Sequence, residues 1–331
     1  MPTSVRRIGT APRIGLVLGA GGVLGSSWMV GALAALSRRL DRPLGELDLI
    51  VGTSAGSILA GAIRAGMTID ELVAHQRGEP IEGVPDMRTV ERETGDGLPP
   101  LPYPWLGSPR LLARAAIHPW QVRPMVAASS LLPLGRARLD SVIDLMHGIQ
   151  DRLGVTRDYW VPGPPLWVCA VDYDTGHRVV FGREGGPPST LADAVLASCA
   201  IPGWLAPRSI GGRRYVDGGL ASVTSLDLLA RGEPLDEVYV LAPMASYSYD
   251  SPFDPLTRAE RAVRRVITCW LDREVRAVRA AGIKVQVLTP GPEDLRAMGF
   301  NVMNPRRRSQ VLETSLRTSL TTLDEIDLDA A

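Results

Sequence analysis

The stretch Leu47-Asp-Leu-Ile-Val-Gly-Thr-Ser-Ala-Gly56 decides the fold of this 331-residue chain. Leu47–Val51 is the short apolar run of a buried strand, and Gly52-Thr-Ser-Ala-Gly56 is a turn in which glycines flank Ser54. Apolar residues then recur at helical spacing at Ala55, Ile58, Leu59, Ala62 and Ile63. The sequence therefore predicts a strand, a tight turn and a helix, with Ser54 in the turn.

A second unit of the same kind lies just before this one. Ile14–Leu18 is an apolar run, and Gly19-Ala-Gly-Gly-Val-Leu-Gly25 is a glycine-rich turn. Helical spacing follows at Met29, Leu33, Leu36 and Leu40. Two such units predict parallel strands joined by crossover helices. We therefore predict an α/β fold, a three-layer sandwich whose mainly parallel central sheet is covered by helices on both faces.

The remaining elements are predicted to join one domain over residues 1–331. Leu166–Tyr173 and Arg178–Phe181 predict a hairpin. Further elements are predicted at Leu191–Ser198 (helix), Tyr215–Val216, Glu237–Leu241 and Val285–Leu288 (strands). Residues 256–331 are expected to form a helical C-terminal extension that includes the last strand. Catalytic loops should lie at the carboxyl ends of the parallel strands.

Residues 79–133 are rich in proline, as in Leu98-Pro-Pro-Leu-Pro-Tyr-Pro-Trp105, and predict an irregular, lid-like excursion. Four large side chains of this segment are candidates for contact with acyl chains or a membrane, namely Tyr103, Trp105, Leu106 and Trp120. The competing interpretation is that each simply covers the core. The segment is therefore the first candidate for contact with lipid.

Two basic regions are further candidates for contact with an anionic membrane. A long helix carries a predicted apolar stripe at Val263, Val266, Ile267, Trp270, Leu271, Val275 and Val278, with arginines on its other faces. The alternative, which we favour, is a helix packed on the core with solvated charges. The cluster Arg306-Arg-Arg308 is the second region.

Composition excludes several classes of function. Lysine plus arginine number 36, as do aspartate plus glutamate, so no nucleic-acid partner is expected. The three cysteines have neither metal-ligand spacing nor the pattern of a disulfide framework, so we expect no metal, no cofactor and a cytoplasmic location, with peripheral membrane contact left open.

Glycines interrupt the apolar stretch Ile14–Leu36, which argues against a signal peptide or membrane anchor. The composition does not indicate which oligomeric state the protein adopts.

The turn around Ser54 has the GxSxG pattern of a nucleophile elbow. A tight strand-to-helix turn strains the serine and tolerates only small neighbours. Amide groups at the start of the following helix favour developing negative charge. An ordinary glycine-lined loop is the alternative, but the predicted strand and helix on either side argue against it. Ser54 is therefore the candidate nucleophile.

The base that activates Ser54 is predicted to be a carboxylate. All four histidines precede Asp217, at His75, His118, His147 and His177. This arrangement excludes the order Ser, Asp, His of α/β-hydrolases if Asp217 is the acid. Lys284, the only lysine, begins a late strand. Asp217 ends a short strand and precedes Gly218 and Gly219, which allow close backbone approach, although an ordinary turn aspartate is the alternative.

The glycine turn 19–25 presents backbone amides to an oxyanion without side chains in the way. The rival interpretation is a Rossmann phosphate loop with Asp41 or Asp48 as the ribose-binding acid, in a dinucleotide-binding oxidoreductase. That interpretation gives Ser54 and Asp217 no role, whereas ester hydrolysis uses all three segments. A Walker loop is excluded because no lysine follows the glycines.

The glycine loop, GTSAG and DGG, in this order and spacing, resemble the patatin-like phospholipase family. Ala197-Ser-Cys-Ala-Ile-Pro202 resembles the family's segment between elbow and acid, and Gly299-Phe-Asn-Val-Met-Asn304 resembles some bacterial members. The resemblance covers about Ile14–Gly66 and Leu166–Leu220.

This resemblance implies a patatin-like fold and a serine acyl hydrolase that cleaves phospholipid, lysophospholipid or acylglycerol esters through an acyl-enzyme. It implies that Ser54 is the nucleophile and Asp217 its base. The implied oxyanion hole consists of the amides of Gly21, Gly22 and Val23. The remaining motif positions are Gly19, Gly25, Gly52, Gly56, Gly218 and Gly219.

Two positions depart from the family pattern. Members usually carry arginine or lysine within the glycine loop, where this chain has Leu24, and Ala20 replaces a usual glycine. The backbone role of the loop survives both changes, but a basic side chain that holds the loop or a substrate phosphate is missing. Neutral and lysolipid esters therefore stay open as substrates. A catalytically silent relative that only binds lipid is the remaining alternative.

Overall fold

The computed structural model describes residues 11–85, 101–248, 250 and 252–328. Its strands are β1 (Ile14–Leu18), β2 (Leu49–Thr53), β3 (Tyr103–Leu106), β4 (Pro133–Leu134), β5 (Leu166–Asp172), β6 (Arg178–Phe181), β7 (Arg208–Ile210), β8 (Arg213–Asp217), β9 (Glu237–Leu241) and β10 (Lys284–Leu288). Its helices are α1 (Gly22–Arg39), α2 (Ala55–Arg64), α3 (Ile69–Arg77), α4 (Pro109–Ile117), α5 (Pro124–Ser129), α6 (Asp140–Arg152), α7 (Leu191–Cys199), α8 (Pro255–Ala280), α9 (Pro292–Met298) and α10 (Arg308–Leu328).

The central sheet has the strand order β10-β9-β1-β2-β5-β8-β7, and β6 also pairs with β5. The strands β10, β9, β1, β2 and β5 run parallel, as two successive strand–turn–helix units predict. Strands β6, β7 and β8 are antiparallel to their neighbours. Since β1, β2 and β5 are buried along their whole length, their continuous apolar runs fit the middle of a covered sheet.

Helices cover both faces of this sheet. One apolar core joins alternate strand residues such as Leu16 and Ile50 to α1, α2, α6, α7 and α10. A second core joins the intervening residues, such as Val17 and Val51, to α8 on the opposite face. The predicted α/β class with three layers and a mainly parallel sheet is thereby confirmed.

Helix α10 completes the first layer by packing against α1. A Cβ at Gly31 would lie 2.5 Å from the Oγ of Ser315, so the two helix backbones approach closely there. The Ser315 hydroxyl donates a 2.7 Å hydrogen bond to the carbonyl of Trp28. Helix α1 begins within the glycine loop, so the C-terminal helix α10 packs on the helix that follows this loop.

Burial along α8 differs in part from the apolar stripe predicted for this helix. Ile267, Leu271, Val275 and Val278 are buried, as the stripe predicts. However, Val263, Val266 and Trp270 are 40 to 55% exposed, whereas Arg261 and Arg264 are buried. Burial of the Arg264 guanidinium is compensated because it donates hydrogen bonds to the Glu260 carboxylate and the Pro243 carbonyl. The hydropathy pattern cannot reveal such partners.

The described part of the excursion contains more regular structure than its proline content predicts. Helices α4 and α5 begin with Pro109 and Pro124. The first helical position needs no amide donor, so proline starts a helix there instead of breaking it. Ser108 caps α4 by accepting the amide of Leu111. Residues 86–100, which include the start of the proline-rich stretch, lie outside the described residues.

Over the described ranges, no helix combines the length and apolarity needed to cross a membrane.

Candidate functional site

The sheet topology brings Ser54 next to Asp217. Strand β2 pairs with the first half of β5 and β8 with its second half, while β6 occupies the opposite edge of β5. Thr53 ends the β2 ladder opposite Cys169, and the next residue of β5, Ala170, pairs with Asp217. Strand β8 thus takes over the edge of β5 where β2 leaves it, so the residue after Thr53 meets Asp217.

Ser54 and Asp217 share a short hydrogen bond. The Ser54 hydroxyl donates to Oδ2 of Asp217 over 2.7 Å, and the Gly219 amide donates to Oδ1 over 2.7 Å. Both residues are 7% exposed. Burial raises the pKa of Asp217 to about 6, although the hydrogen bonds from Ser54 and Gly219 act in the opposite direction. A carboxylate with this pKa is ionised at neutral pH yet basic enough to accept a proton.

The backbone of Ser54 has a conformation that non-glycine residues rarely adopt, with φ 53° and ψ −125°. Its amide donates to the hydroxyl of Ser198 over 2.8 Å, and that hydroxyl donates to the carbonyl of Cys169 over 2.6 Å. The carbonyl of Ser54 accepts hydrogen bonds from both the amide and the hydroxyl of Ser57. These contacts hold the strained turn and aim the Ser54 side chain out of the sheet.

Glycines stand where two backbones pass at close range. A Cβ at Gly56 would lie 2.1 Å from the carbonyl oxygen of Leu18, and one at Gly218 would lie 2.2 Å from the carbonyl oxygen of Cys169. Any larger residue would force these segments apart. The other motif glycines of the two loops also lie against backbone or proline atoms, at Gly19, Gly21, Gly25 and Gly52.

The amides of the glycine loop fall into two groups. Four flanking amides donate to backbone carbonyls, those of Gly19, Ala20, Leu24 and Gly25. Within the part of the chain that the structure describes, the amides of Gly21, Gly22 and Val23 have no protein acceptor. Gly22, with φ +60°, and Val23 line the same cavity as Ser54. These amides are therefore available to an oxyanion formed at Ser54.

The side chain of Leu24 faces the core and does not line the cavity. It is fully buried in the first core together with Trp28, so this position contributes to packing and not to the site. A basic residue lines the cavity from another direction, since Arg308 is buried there and its Nε donates to the carbonyl of Gln76 over 3.0 Å. The cluster 306–308 is thus only partly at the surface.

A mostly apolar cavity opens beside Ser54. Its walls come from the start of α1, from α2, α3 and α6, and from residues 199–205. It has a volume of about 110 Å³, several times the roughly 10–15 Å³ that one water needs on the same measure. Apolar pockets of this kind with few polar groups are typical ligand sites.

Sequence reasoning missed His75 and Gln76, which line this cavity from α3. The Nε2 of His75 lies 3.0 Å from the carbonyl oxygen of Pro85, and Gln76 Oε1 accepts the hydroxyl of Ser27. His177 is exposed in the hairpin turn. The helical spacing of Leu72 and His75 was the available signal for an inward-facing histidine.

The fold and the site define an α/β protein with a serine elbow, a paired carboxylate and a glycine loop around an apolar cavity. The family model named patatin-like phospholipase matches residues 16–79 and 161–230, which contain all three of these segments. This match confirms the resemblance to the patatin-like phospholipase family that was inferred from the motifs.

Similar proteins were found by sequence and by structure. Uncharacterized NTE family proteins of Mycobacterium bovis and Mycobacterium tuberculosis are 29% identical over 280 residues, which cover 84% of this chain and 60% of theirs. VipD of Legionella pneumophila matches with a TM-score of 0.47 and 15% identity over 96% of this chain and 67% of its own. The type III effector ExoU matches with a TM-score of 0.37 and 16% identity over 96% of this chain and 54% of its own.

Proposed function

We propose that the chain is a lipid acyl hydrolase that cleaves carboxylic esters of phospholipids, lysophospholipids or acylglycerols. The observation that carries the proposal is the 2.7 Å hydrogen bond from Ser54 to Asp217 beside an apolar cavity. The hydroxyl of Ser54 attacks the ester carbonyl while its proton passes to Oδ2 of Asp217. The carbonyl oxygen becomes an oxyanion that the amides of Gly21, Gly22 and Val23 stabilise.

The second half of the reaction returns the proton. Collapse of the tetrahedral intermediate breaks the ester C–O bond, and the leaving alcohol takes the proton from Asp217. Water then donates a proton to Asp217 and attacks the acyl carbon of the acyl-enzyme. Release of the fatty acid returns the proton to Ser54. One carboxylate therefore acts as base and acid in turn, and no histidine is required.

The position of Asp48 argues against the dinucleotide alternative. Its carboxylate accepts the amide of Ile14 over 2.8 Å and pairs with Arg42. Asp48 precedes β2 and Ile14 begins β1, so this carboxylate lies at the amino ends of the strands. Ser54 and the glycine loop follow the carboxyl ends, where a nucleotide would bind. A ribose-binding role for Asp48 therefore has no geometric support.

Fatty acid release is the direct test of the proposed function. The purified protein is expected to release fatty acid from at least one of lysophosphatidylcholine, phosphatidylcholine and monoacylglycerol, or to hydrolyse short-chain nitrophenyl esters. Absence of hydrolysis with all of these esters would support the catalytically silent alternative.

We expect kcat/KM to fall as the pH drops below about 6, because Asp217 must be ionised to accept the proton of Ser54. Burial raises this pKa, so the protonated, inactive fraction grows at a higher pH than for an ordinary carboxyl group. The measurement is the pH profile of kcat/KM on a neutral ester.

The expected midpoint of the pH profile overlaps the ordinary pKa range of histidine. Variants must therefore distinguish Asp217 from a histidine as the base. The midpoint is expected to persist in His75→Asn, which alters the cavity histidine, and in His177→Asn, which alters an exposed one. Loss of the acidic limb in either variant would assign the base to that histidine.

The surface of residues 101–139 supports peripheral contact with an anionic membrane. Its four predicted contact residues are 46 to 78% exposed, at Tyr103, Trp105, Leu106 and Trp120. The segment contains five arginines and no aspartate or glutamate. Arg110, Arg123 and Arg138 pair with carboxylates outside the segment, and each basic residue that faces such a membrane contributes about 1 kcal/mol. It borders the cavity, because Ala137 forms a β-bridge to Leu205, which lines the cavity wall.

The double variant Trp105→Ser/Trp120→Ser is expected to bind vesicles of phosphatidylcholine and phosphatidylserine at least about tenfold more weakly, since it removes two apolar anchors. Co-sedimentation measures the binding. Trp270→Ser is the matched control, because it removes a partly exposed tryptophan from α8. Weaker binding by the control and unchanged binding by the double variant would show that the membrane contacts the exposed residues of α8 and not residues 101–139.

A further inference from the structure

We infer that the cavity beside Ser54 is an acyl-chain site that selects chain length along α2, with Ala62 and Ile149 at its far end. The inference rests on the proposed function, because it places in the cavity the acyl chain of the ester that Ser54 attacks. It adds the residues that set specificity.

Helix α2 forms the first wall of this site. The cavity is lined by Ser54, at the start of the helix, and then by one face of α2 through Ala55, Ile58, Leu59 and Ala62. An α-helix rises about 1.5 Å per residue, so Ser54 and Ala62 are separated by roughly 12 Å along the helix axis. The cavity therefore follows the helix away from the nucleophile for about two turns.

Helix α6 forms a second wall that runs in the same direction. A Cβ at Gly61 would lie 3.2 Å from the sulfur of Met146, and one at Gly66 would lie 3.3 Å from Leu153. The first contact lies within both helices and the second just after both of them end, so the two helices run side by side in the same direction. The residues of α6 and its N-cap that line the cavity are Leu139, Val142, Leu145 and Ile149. Ile149 is the last of them and lies level with the end of α2.

Helix α3 closes the third side and runs the opposite way. Gln76, near its end, accepts the hydroxyl of Ser27 in the first turns of α1, which ties this end to the glycine loop. Leu72, one turn earlier, and Met67, before the helix, are buried apolar residues of the lining. The lining from α3 therefore runs from polar Gln76, on the side of α1, to apolar Leu72 and Met67.

This polarity matches a fatty acyl ester, with the carbonyl at Ser54 and the alkyl tail toward Ala62. An extended alkyl chain advances about 1.3 Å per carbon for C–C bonds of about 1.5 Å. A path of roughly 12 Å therefore takes about nine carbons. Longer chains must pass Ala62 and Ile149, so the volume of these two side chains determines how well they fit.

Two opposite substitutions test the inference. For each variant, kcat/KM is measured on a long-chain and on a shorter-chain nitrophenyl ester, and the ratio of the two values is compared with that of the wild type. Ala62→Phe fills the far end and is expected to lower the dodecanoyl-to-butanoyl ratio at least about tenfold. Ile149→Ala enlarges the far end and is expected to raise the hexadecanoyl-to-decanoyl ratio at least about threefold.

Ile63→Ala is the matched control for Ile149→Ala. Both isoleucines are helical and 2% exposed, but Ile63 is not among the residues that line the cavity. Its hexadecanoyl-to-decanoyl ratio is expected to equal that of the wild type. If Ala62→Phe does not fold, Ile149→Ala against this control decides the question.

The outcomes distinguish this inference from the proposed function. Unchanged ratios in the folded variants, with the wild type still active on esters, overturn the acyl-chain site and leave the hydrolase proposal standing. A wild type without activity on any ester overturns the proposed function, and the acyl-chain site with it.

Discussion

Replacing Ser54 by alanine is expected to lower kcat for ester hydrolysis by about four to six orders of magnitude. The variant loses the only hydroxyl that is bonded to Asp217 among the described residues, and with it the acyl-enzyme route. Turnover of a nitrophenyl ester over hours, with the wild type diluted to match, measures the loss. Any remaining rate should reflect water attack assisted by the amides of the glycine loop.

Ser129→Ala provides the control for this change. It removes a buried hydroxyl whose one hydrogen bond among the described residues goes to the carbonyl of Val126 in α5, and Ser129 does not line the cavity. We expect a kcat within about twofold of the wild type, because this change leaves Ser54, Asp217 and the glycine loop in place. More than a hundredth of the wild-type kcat in Ser54→Ala would show that another residue is the nucleophile.

Replacing Asp217 by asparagine is expected to lower kcat by about three to four orders of magnitude with little change in KM. The amide has nearly the same shape and can still accept one hydrogen bond, but it cannot take the proton of Ser54. The cavity proposed to bind the substrate is untouched, which is why KM should persist. Steady-state kinetics on a soluble ester separate the two constants.

Asp294→Asn is the control for the second change. Asp294 is a buried carboxyl, 2% exposed, that accepts the amide of Gly291 and the hydroxyl of Thr318. Its pKa is also raised by burial, so it matches Asp217 in environment but not in position. Activity comparable to the wild type is expected. An equal loss in both variants would show that the effect is one of folding and not of proton transfer.

The strand–turn–helix units were predictable because their signals are local. The predicted bounds of β1 agree with the structure, and α2 begins directly after Ser54 as predicted. Strand β2 is displaced by two residues, from the predicted Leu47–Val51 to Leu49–Thr53. The reason is pairing: Gly52 and Thr53 join the ladder with β5, and apolar periodicity does not reveal where a ladder ends.

The geometry around Ser54 depended on contacts that no local pattern encodes. Strand β8 meets the end of β2 only because both occupy one edge of β5. Ser198, which holds the amide of Ser54, entered the sequence interpretation only as the end of a predicted helix and as part of a resembling segment. The raised pKa of Asp217 follows from burial, which its position in the sequence does not report.

Long-range packing also accounts for the remaining differences between the predicted and the observed structure. His75 and Gln76 line the cavity because α3 folds back over α1, and Arg264 is buried because Glu260 and Pro243 supply partners. Proline predicted irregular structure in the excursion, yet Pro109 and Pro124 start helices. In each case the residue type was compatible with two environments, and only tertiary contacts select one of them.

Covalent labelling by a fluorophosphonate, followed by mass spectrometry of the modified peptide, tests the cooperation of Ser54 and Asp217 most directly. We expect the wild type to carry one adduct, located on Ser54, and Asp217→Asn to be labelled at least about a hundredfold more slowly. An adduct on a different residue, or labelling of Asp217→Asn at the wild-type rate, would contradict the proposed dyad.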